Sequence, residues 1–280
     1  MHETREFTLD RDELTVTASV QTDAGCVRDS NEDSGRYVSP YDAEVLASRG
    51  RLTIVADGMG GHASGEIASQ IAVEAISEIY YSDRSLEPRE ALRHAVEAAN
   101  AEIHTASLVD ENYEGMGTTL VALVILGDTA FSAHVGDSRL YRMRHRRLEL
   151  MTIDHSQVME MVQNGIITLE QARNHDDKNV ILRAMGTQPE VEVEVSEEFS
   201  VEPGDTFLLC SDGLNDMLED AEIEVILASE PDEYTACEKL IAAAKENGGH
   251  DNVTVGVISV GGRSVDPPRE VRITREVEVL

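Results

Sequence analysis

Apolar and polar residues alternate at period two over LTVTASV (14–20), which predicts a strand, and a polar stretch, QTDAGCVRDSNEDSG, follows as a loop. RLTIVAD (51–57) predicts a second strand. Apolar residues then recur at helical spacing over two segments, near 65–81 and 88–108, with Pro88 close to the start of the second. From residue 117 the pattern turns to β. Short apolar runs at 117–126, 129–136, 138–144 and 148–152 are separated by Gly-Asp and Arg-rich turns. Residues 154–190 are less regular: HSQVMEMVQNG predicts a short helix and NHDDKN a loop. EVEVEVSEEF (190–199) and DTFLLCSD (205–212) return to strand, helices are expected over 214–228 and 232–246, and NVTVGVISV (252–260) closes with a strand. Residues 1–12 form a lead-in. After Gly261-Gly262, the double proline and the charge of SVDPPREVRITREVEVL argue for a tail over 262–280, although VRITREVEV has the alternation of an edge strand. There is no internal repeat. Strands surrounding helices that come in pairs predict a layered α+β domain with mostly antiparallel sheet, not a doubly wound one.

Composition narrows the class. Of 280 residues, 41% are apolar but only 4% aromatic, with no Trp, so a sizeable core must be built from aliphatic side chains. No run approaches a membrane span and the N-terminus lacks a signal pattern, which predicts a soluble cytoplasmic protein. Cys26, Cys210 and Cys237 are scattered, so neither a disulfide framework nor a zinc site is expected. Acids outnumber bases 54 to 23, for a net charge of −31, and only Lys178, Lys239 and Lys245 are lysines. Such a surface repels nucleic acid and anionic membranes. It is also one that stays soluble in a high-salt cytoplasm, the plain alternative being a solvated acidic face.

Gly58-Met59-Gly60-Gly61-His62-Ala63 follows a strand and opens a helix, as a dinucleotide fingerprint would. Against that reading, the first helix is followed by a second helix instead of a strand, and Asp57 sits where it would face a pyrophosphate. The aspartates offer another reading. Asp57, Asp137 and Asp212 end strands, Asp251 opens one, and Asp33 lies in the loop after the first strand. Each alone is ordinary turn chemistry. Together, carboxylates at the rim of a core repel one another, and cations relieve that repulsion. Oxygen ligands without His or Cys suit Mg²⁺ or Mn²⁺. Arg28 is the nearby cation whose fork can grip a phosphate.

The stretches RDSNED (28–33), VADGMGGHASGE (55–66), GTTLVAL (117–123), HVGDSRLYR (134–142), DHS (154–156), LCSDGLNDM (209–217) and GGHDNVTVGVI (248–258) occur in an order that resembles the metal-dependent protein phosphatases of type 2C, in their bacterial serine/threonine form. The resemblance covers roughly residues 14 to 260. It implies a four-layer α-β-β-α sandwich, two antiparallel sheets flanked by helix pairs, in a catalytic domain over 13–261 with a flap about 155–190. It implies hydrolysis of phosphoserine and phosphothreonine in proteins by a hydroxide bridging two Mn²⁺ or Mg²⁺ ions, opposing bacterial serine/threonine kinases, with a third ion besides. By the same resemblance Asp57 bridges the two core ions and the carbonyl of Gly58 is a ligand. Asp212 and Asp251 complete the set, and Asp33 and Glu32 act through water. Asp137 with Asp212 holds the third ion, Arg28 binds the phosphate, and Asn252 supports Asp251. Phosphorylated proteins, including kinases and their substrates, are the implied partners of a monomer. Met59 stands where eukaryotic members carry a histidine, and His62 cannot be assumed to replace it, which leaves the general acid unassigned.

Overall fold

The computed structural model describes residues 14–60, 63–82, 84–109, 113, 115–230 and 232–261. The lead-in over 1–12, the tail over 262–280 and His62 lie outside these. Two antiparallel sheets stack face to face. The first is ordered β1 (Thr15–Asp23), β12 (Val253–Gly261), β11 (Thr206–Cys210), β7 (Arg139–Arg144) and β8 (Arg147–Leu150). The second is ordered β10 (Phe199–Ser200), β6 (Thr129–Val135), β5 (Leu120–Leu126), β3 (Arg51–Met59) and β2 (Asp33–Val38). Two further strands lie off that path: β9 (Glu194–Val195) pairs with β6, and β4 (Gly117–Thr118) pairs with β3.

Both faces of the central strands are buried, which is why they read as nearly continuous apolar runs. Along β5, Leu120, Ala122 and Val124 face the helices α2 (Ala63–Ser82) and α3 (Pro88–Val109), while Val121, Leu123 and Ile125 face the other sheet. β12 divides in the same way. Val253, Val255 and Val257 pack toward α7 (Asp220–Ser229) and α8 (Glu233–Glu246), and Ile258 and Val260 pack between the sheets. The result is the expected four-layer order of helices, sheet, sheet, helices. Among the described residues no helix is long and apolar enough to cross a membrane.

The structure departs from the pattern in four places. β2 starts inside the expected loop, since β3 offers it an antiparallel partner from Asp33 to Val38. A short α1 (Ala43–Arg49) was not signalled by periodicity and is capped by Asp42, which accepts from the N–H groups of Glu44 and Val45. EVEVEVSEEF joins the sheet only through β9 and, at its last residue Phe199, through the start of β10, because β6 receives it only there. The helix expected over 214–228 is broken into α6 (Asp212–Asn215) and α7. The less regular segment folds as α4 (Gln157–Gln163) and α5 (Leu169–Arg173), closed at its base by a bridge between Ser156 and Ile181.

Candidate metal centre

Asp33, Asp57 and Asp137 come from the sheet of β2, β3 and β6, and Asp212 and Asp251 from the ends of β11 and β12. Pairing brings them together. Asp33 opens β2 directly opposite Asp57 on β3, although 23 residues separate them along the chain. Asp57 lies two residues beyond Val55, on the face of β3 that looks toward the other sheet. Asp212 starts α6, separated from β11 by Ser211 alone, and Asp251 precedes β12, the neighbouring strand.

The cluster is short of partners. Asp33 Oδ1, Asp137 Oδ1 and Asp212 Oδ1 are buried with no hydrogen-bond partner among the described residues. Burial pushes the Asp57 carboxyl well above its ordinary 3.8, and the charges of Asp33, Asp212, Asp137 and Asp251 add to the shift. Burial pushes Asp33 up to about 7, although Ser211 Oγ donates to its Oδ2 at 2.7 Å. Asp212 is pushed up to about 6 by burial and then by Asp216 and Asp251. Asp137 also stands well above 3.8, through burial and then Asp212 and Asp154. Such a set is held ionised at neutral pH only by positive charge placed among it. The donors are oxygens throughout, which fits hard divalent cations such as Mn²⁺ or Mg²⁺.

Close backbone approach shapes the rest of the site. A Cβ on Gly58 would lie 2.1 Å from the Gly65 carbonyl and 2.4 Å from that of Glu32. One on Gly213 would lie 1.9 Å from the Asn252 carbonyl. The glycines after Asp57 therefore let strand, loop and helix meet beside the carboxylates. Arg28 donates to Asp251 Oδ2 at 2.6 Å, not to its sequence neighbours Asp29 or Glu32. Asn252 reaches the loop instead of the carboxylate. Its Nδ2 donates to the carbonyls of Ala24 and Ser30, its Oδ1 accepts from the Glu32 N–H, and only its backbone N–H donates to Asp251.

Several participants were not singled out by residue type. Thr118 Oγ1 and the Thr119 N–H both donate to the Asp57 carbonyl at 2.9 Å, and Thr119 Oγ1 accepts from the Asp57 N–H. Arg139 and Asp154 form a forked ion pair behind Asp137. The motifs GTTLVAL, HVGDSRLYR and DHS contain these residues, but spacing alone gave them no task.

Comparison with known proteins is consistent across sequence and structure. A sequence model of the family described as protein phosphatase 2C matches residues 41–240. The serine/threonine phosphatase stp of Listeria monocytogenes is 38% identical over 244 residues, spanning 85% of this chain and 93% of that protein. Protein phosphatase PhpP of Streptococcus pneumoniae is 38% identical over 245 residues, spanning 86% and 96%. The crystal structure of the Mycobacterium tuberculosis serine/threonine phosphatase PstP/Ppp superposes with a TM-score of 0.78 at 36% identity, over 88% of this chain and 99% of that one. A structure of the PstP catalytic domain in complex with two manganese ions gives 0.77 at 36% identity, over 89% and 99%.

Proposed function

The chain belongs to the protein phosphatase 2C family and is a metal-dependent serine/threonine protein phosphatase, and from that premise we propose that the carboxylate cluster between its sheets is the catalytic centre. The observation that carries this assignment is the set of buried, partnerless oxygens on Asp33, Asp137 and Asp212. Asp57, the Gly58 carbonyl, Asp212 and Asp251 would hold two core ions. Asp33 and Glu32 would act through intervening water, and Asp137 with Asp212 would hold a third ion. When bound, divalent ions lower the pKa of water and neutralise charge developing on the phosphoryl oxygens.

The chain's own residues supply position. Arg28 spends one N–H on Asp251 and is half exposed. The remaining donors of its guanidinium are free to grip a phosphate monoester at the mouth of the cluster. Thr118 and Thr119 keep the Asp57 backbone from shifting as charge accumulates. In the net reaction water adds to phosphorus, the P–O ester bond breaks, and phosphate and the free serine or threonine hydroxyl leave. Three finer readings belong to this proposal: serine/threonine kinases and their targets as the physiological substrates, a monomeric state, and action in the cytoplasm.

The test is phosphate release from a phosphothreonine peptide, with and without Mn²⁺, for wild type and Asp212→Asn. Turnover should require Mn²⁺ and be lost in the variant. Turnover that survives the substitution would remove the cluster from the mechanism.

A further inference from the structure

β6 presents Phe131, Ala133 and Val135 to the helices, and strand alternation would turn Asp137 the same way. Instead β6 ends at Val135 and Gly136 takes a φ of +102°. Asp137 thereby enters the field of Asp212. A Cβ at position 136 would lie 2.8 Å from the Thr119 side chain, so the position requires glycine. Glycine, however, is the residue freest to leave that conformation.

His155 grips Gly136 from both sides. Its backbone N–H donates to the Gly136 carbonyl at 2.9 Å, and its ring Nδ1 accepts the Gly136 N–H at 3.1 Å. An accepting Nδ1 puts the ring proton on Nε2, which donates to Glu194 Oε2 at 3.1 Å. Burial lowers the pKa of His155 and so favours the neutral ring this arrangement needs. Glu194 stands on β9, opposite His134 on β6. The His134 ring stacks on His155 at 4.6 Å and donates from Nε2 to the Ile153 carbonyl. The His155 carbonyl accepts from the Leu182 N–H at 2.8 Å, on the return of the segment that carries α4 and α5.

His134, His155 and Glu194 bring potential ligand atoms within 4.8 Å of one another, but they do not form a second metal site. The stacked rings are only 19° from parallel, so no nearby point lies in both ring planes, where the nitrogen lone pairs are. Arg183 also stands 3.4 Å from His155 Nε2.

We propose that His155 is a positioning residue: it locks Gly136 in the conformation that turns Asp137 into the carboxylate cluster, and Glu194 fixes its tautomer. The metal position shared by Asp137 and Asp212 then depends on a side chain that touches no metal. This inference rests on the reading of Asp137 as a ligand given above.

The experiment is stepwise Mn²⁺ titration of the full chain by calorimetry, with the melting temperature in EDTA as the check on folding. The variants are Asp137→Asn, His155→Gln, His155→Asn and Glu194→Ala. Asn places its oxygen where Nδ1 stands and Gln does not. Asp137→Asn should abolish the weakest Mn²⁺ site. His155→Gln should weaken that site by roughly tenfold or more, as outer partners of metal ligands do, leaving the tighter sites unchanged. His155→Asn should restore it. Should His155→Gln not fold, Glu194→Ala reads the same step and should weaken the same site. Unchanged binding in His155→Gln or Glu194→Ala, or equal losses in His155→Gln and His155→Asn, would overturn the inference. A titration unaltered by Asp137→Asn would remove the ligand reading and the inference with it.

Discussion

The sheet–sheet interface and the carboxylate cluster at its end are built by the same strands, yet they obey opposite rules. On β3, Val55 is fully buried among Leu123, Leu209 and Ile258, and two residues further on the same face Asp57 meets four other aspartates. The first position gains stability from every neighbour added, through lost apolar surface. The second loses stability with each neighbour, because like charges held away from water cannot all stay ionised. The fold therefore carries a strained end in a scaffold whose interior contributes most of the stability. That is the arrangement expected when a charge from outside completes the site.

The largest effect that could break this comparison is in turnover. Asp57→Asn should cut metal-dependent phosphate release by about a thousandfold, roughly 4 kcal/mol of barrier. The same protein should melt higher than wild type in EDTA, because one of the crowded charges is gone. A variant that melted lower without metal would contradict the strain argument.

Next comes the interface itself. Leu209→Ala leaves a cavity between the sheets and should cost about 3 kcal/mol. Denaturant unfolding should show the same loss with or without Mn²⁺.

The third test is pH. Burial raises Asp33 from 3.8 to about 7 in the metal-free chain. The folded state then holds a proton that the unfolded state has released. The associated stability is fully present below about pH 4 and is lost as pH rises through about 7. In EDTA the melting temperature should fall between pH 5.5 and 8, by about 2–4 °C for each kcal/mol lost, and saturating Mn²⁺ should flatten that slope. A metal-free protein equally stable at both pH values would count against a crowded cluster.

The smallest effect lies at the border of the two regions. Ser211 Oγ donates to Asp33 and accepts from the Thr254 N–H at 2.9 Å. Ser211→Ala should cost about 1–2 kcal/mol, visible as a shift of the denaturant midpoint at constant slope.

Much of this was legible in the chain itself. Apolar runs that end in aspartate placed Asp57 and Asp212 at the rim of a core, and paired helical stretches among strands gave the layered architecture. These signals are local: burial on both faces demands unbroken apolar strands, and burial on one face demands helical spacing. What stayed hidden depends on pairing partners. EVEVEVSEEF alternates perfectly over its first six residues and still forms only two short ladders, because a strand needs an edge to join. DSG at the end of the expected loop opens a strand that runs to Val38, because β3 receives it.

The sequence by itself determined the class of the protein, its layered core and the inventory of carboxylates, since each follows from residue type and short-range pattern. The tertiary structure alone decided that Asp33 faces Asp57 across a ladder, that Arg28 pairs with Asp251, and that His155 holds the peptide before Asp137. Those contacts join residues 19 to 223 positions apart. Distances of that kind are set by strand register and by the stacking of the two sheets, which no local pattern encodes.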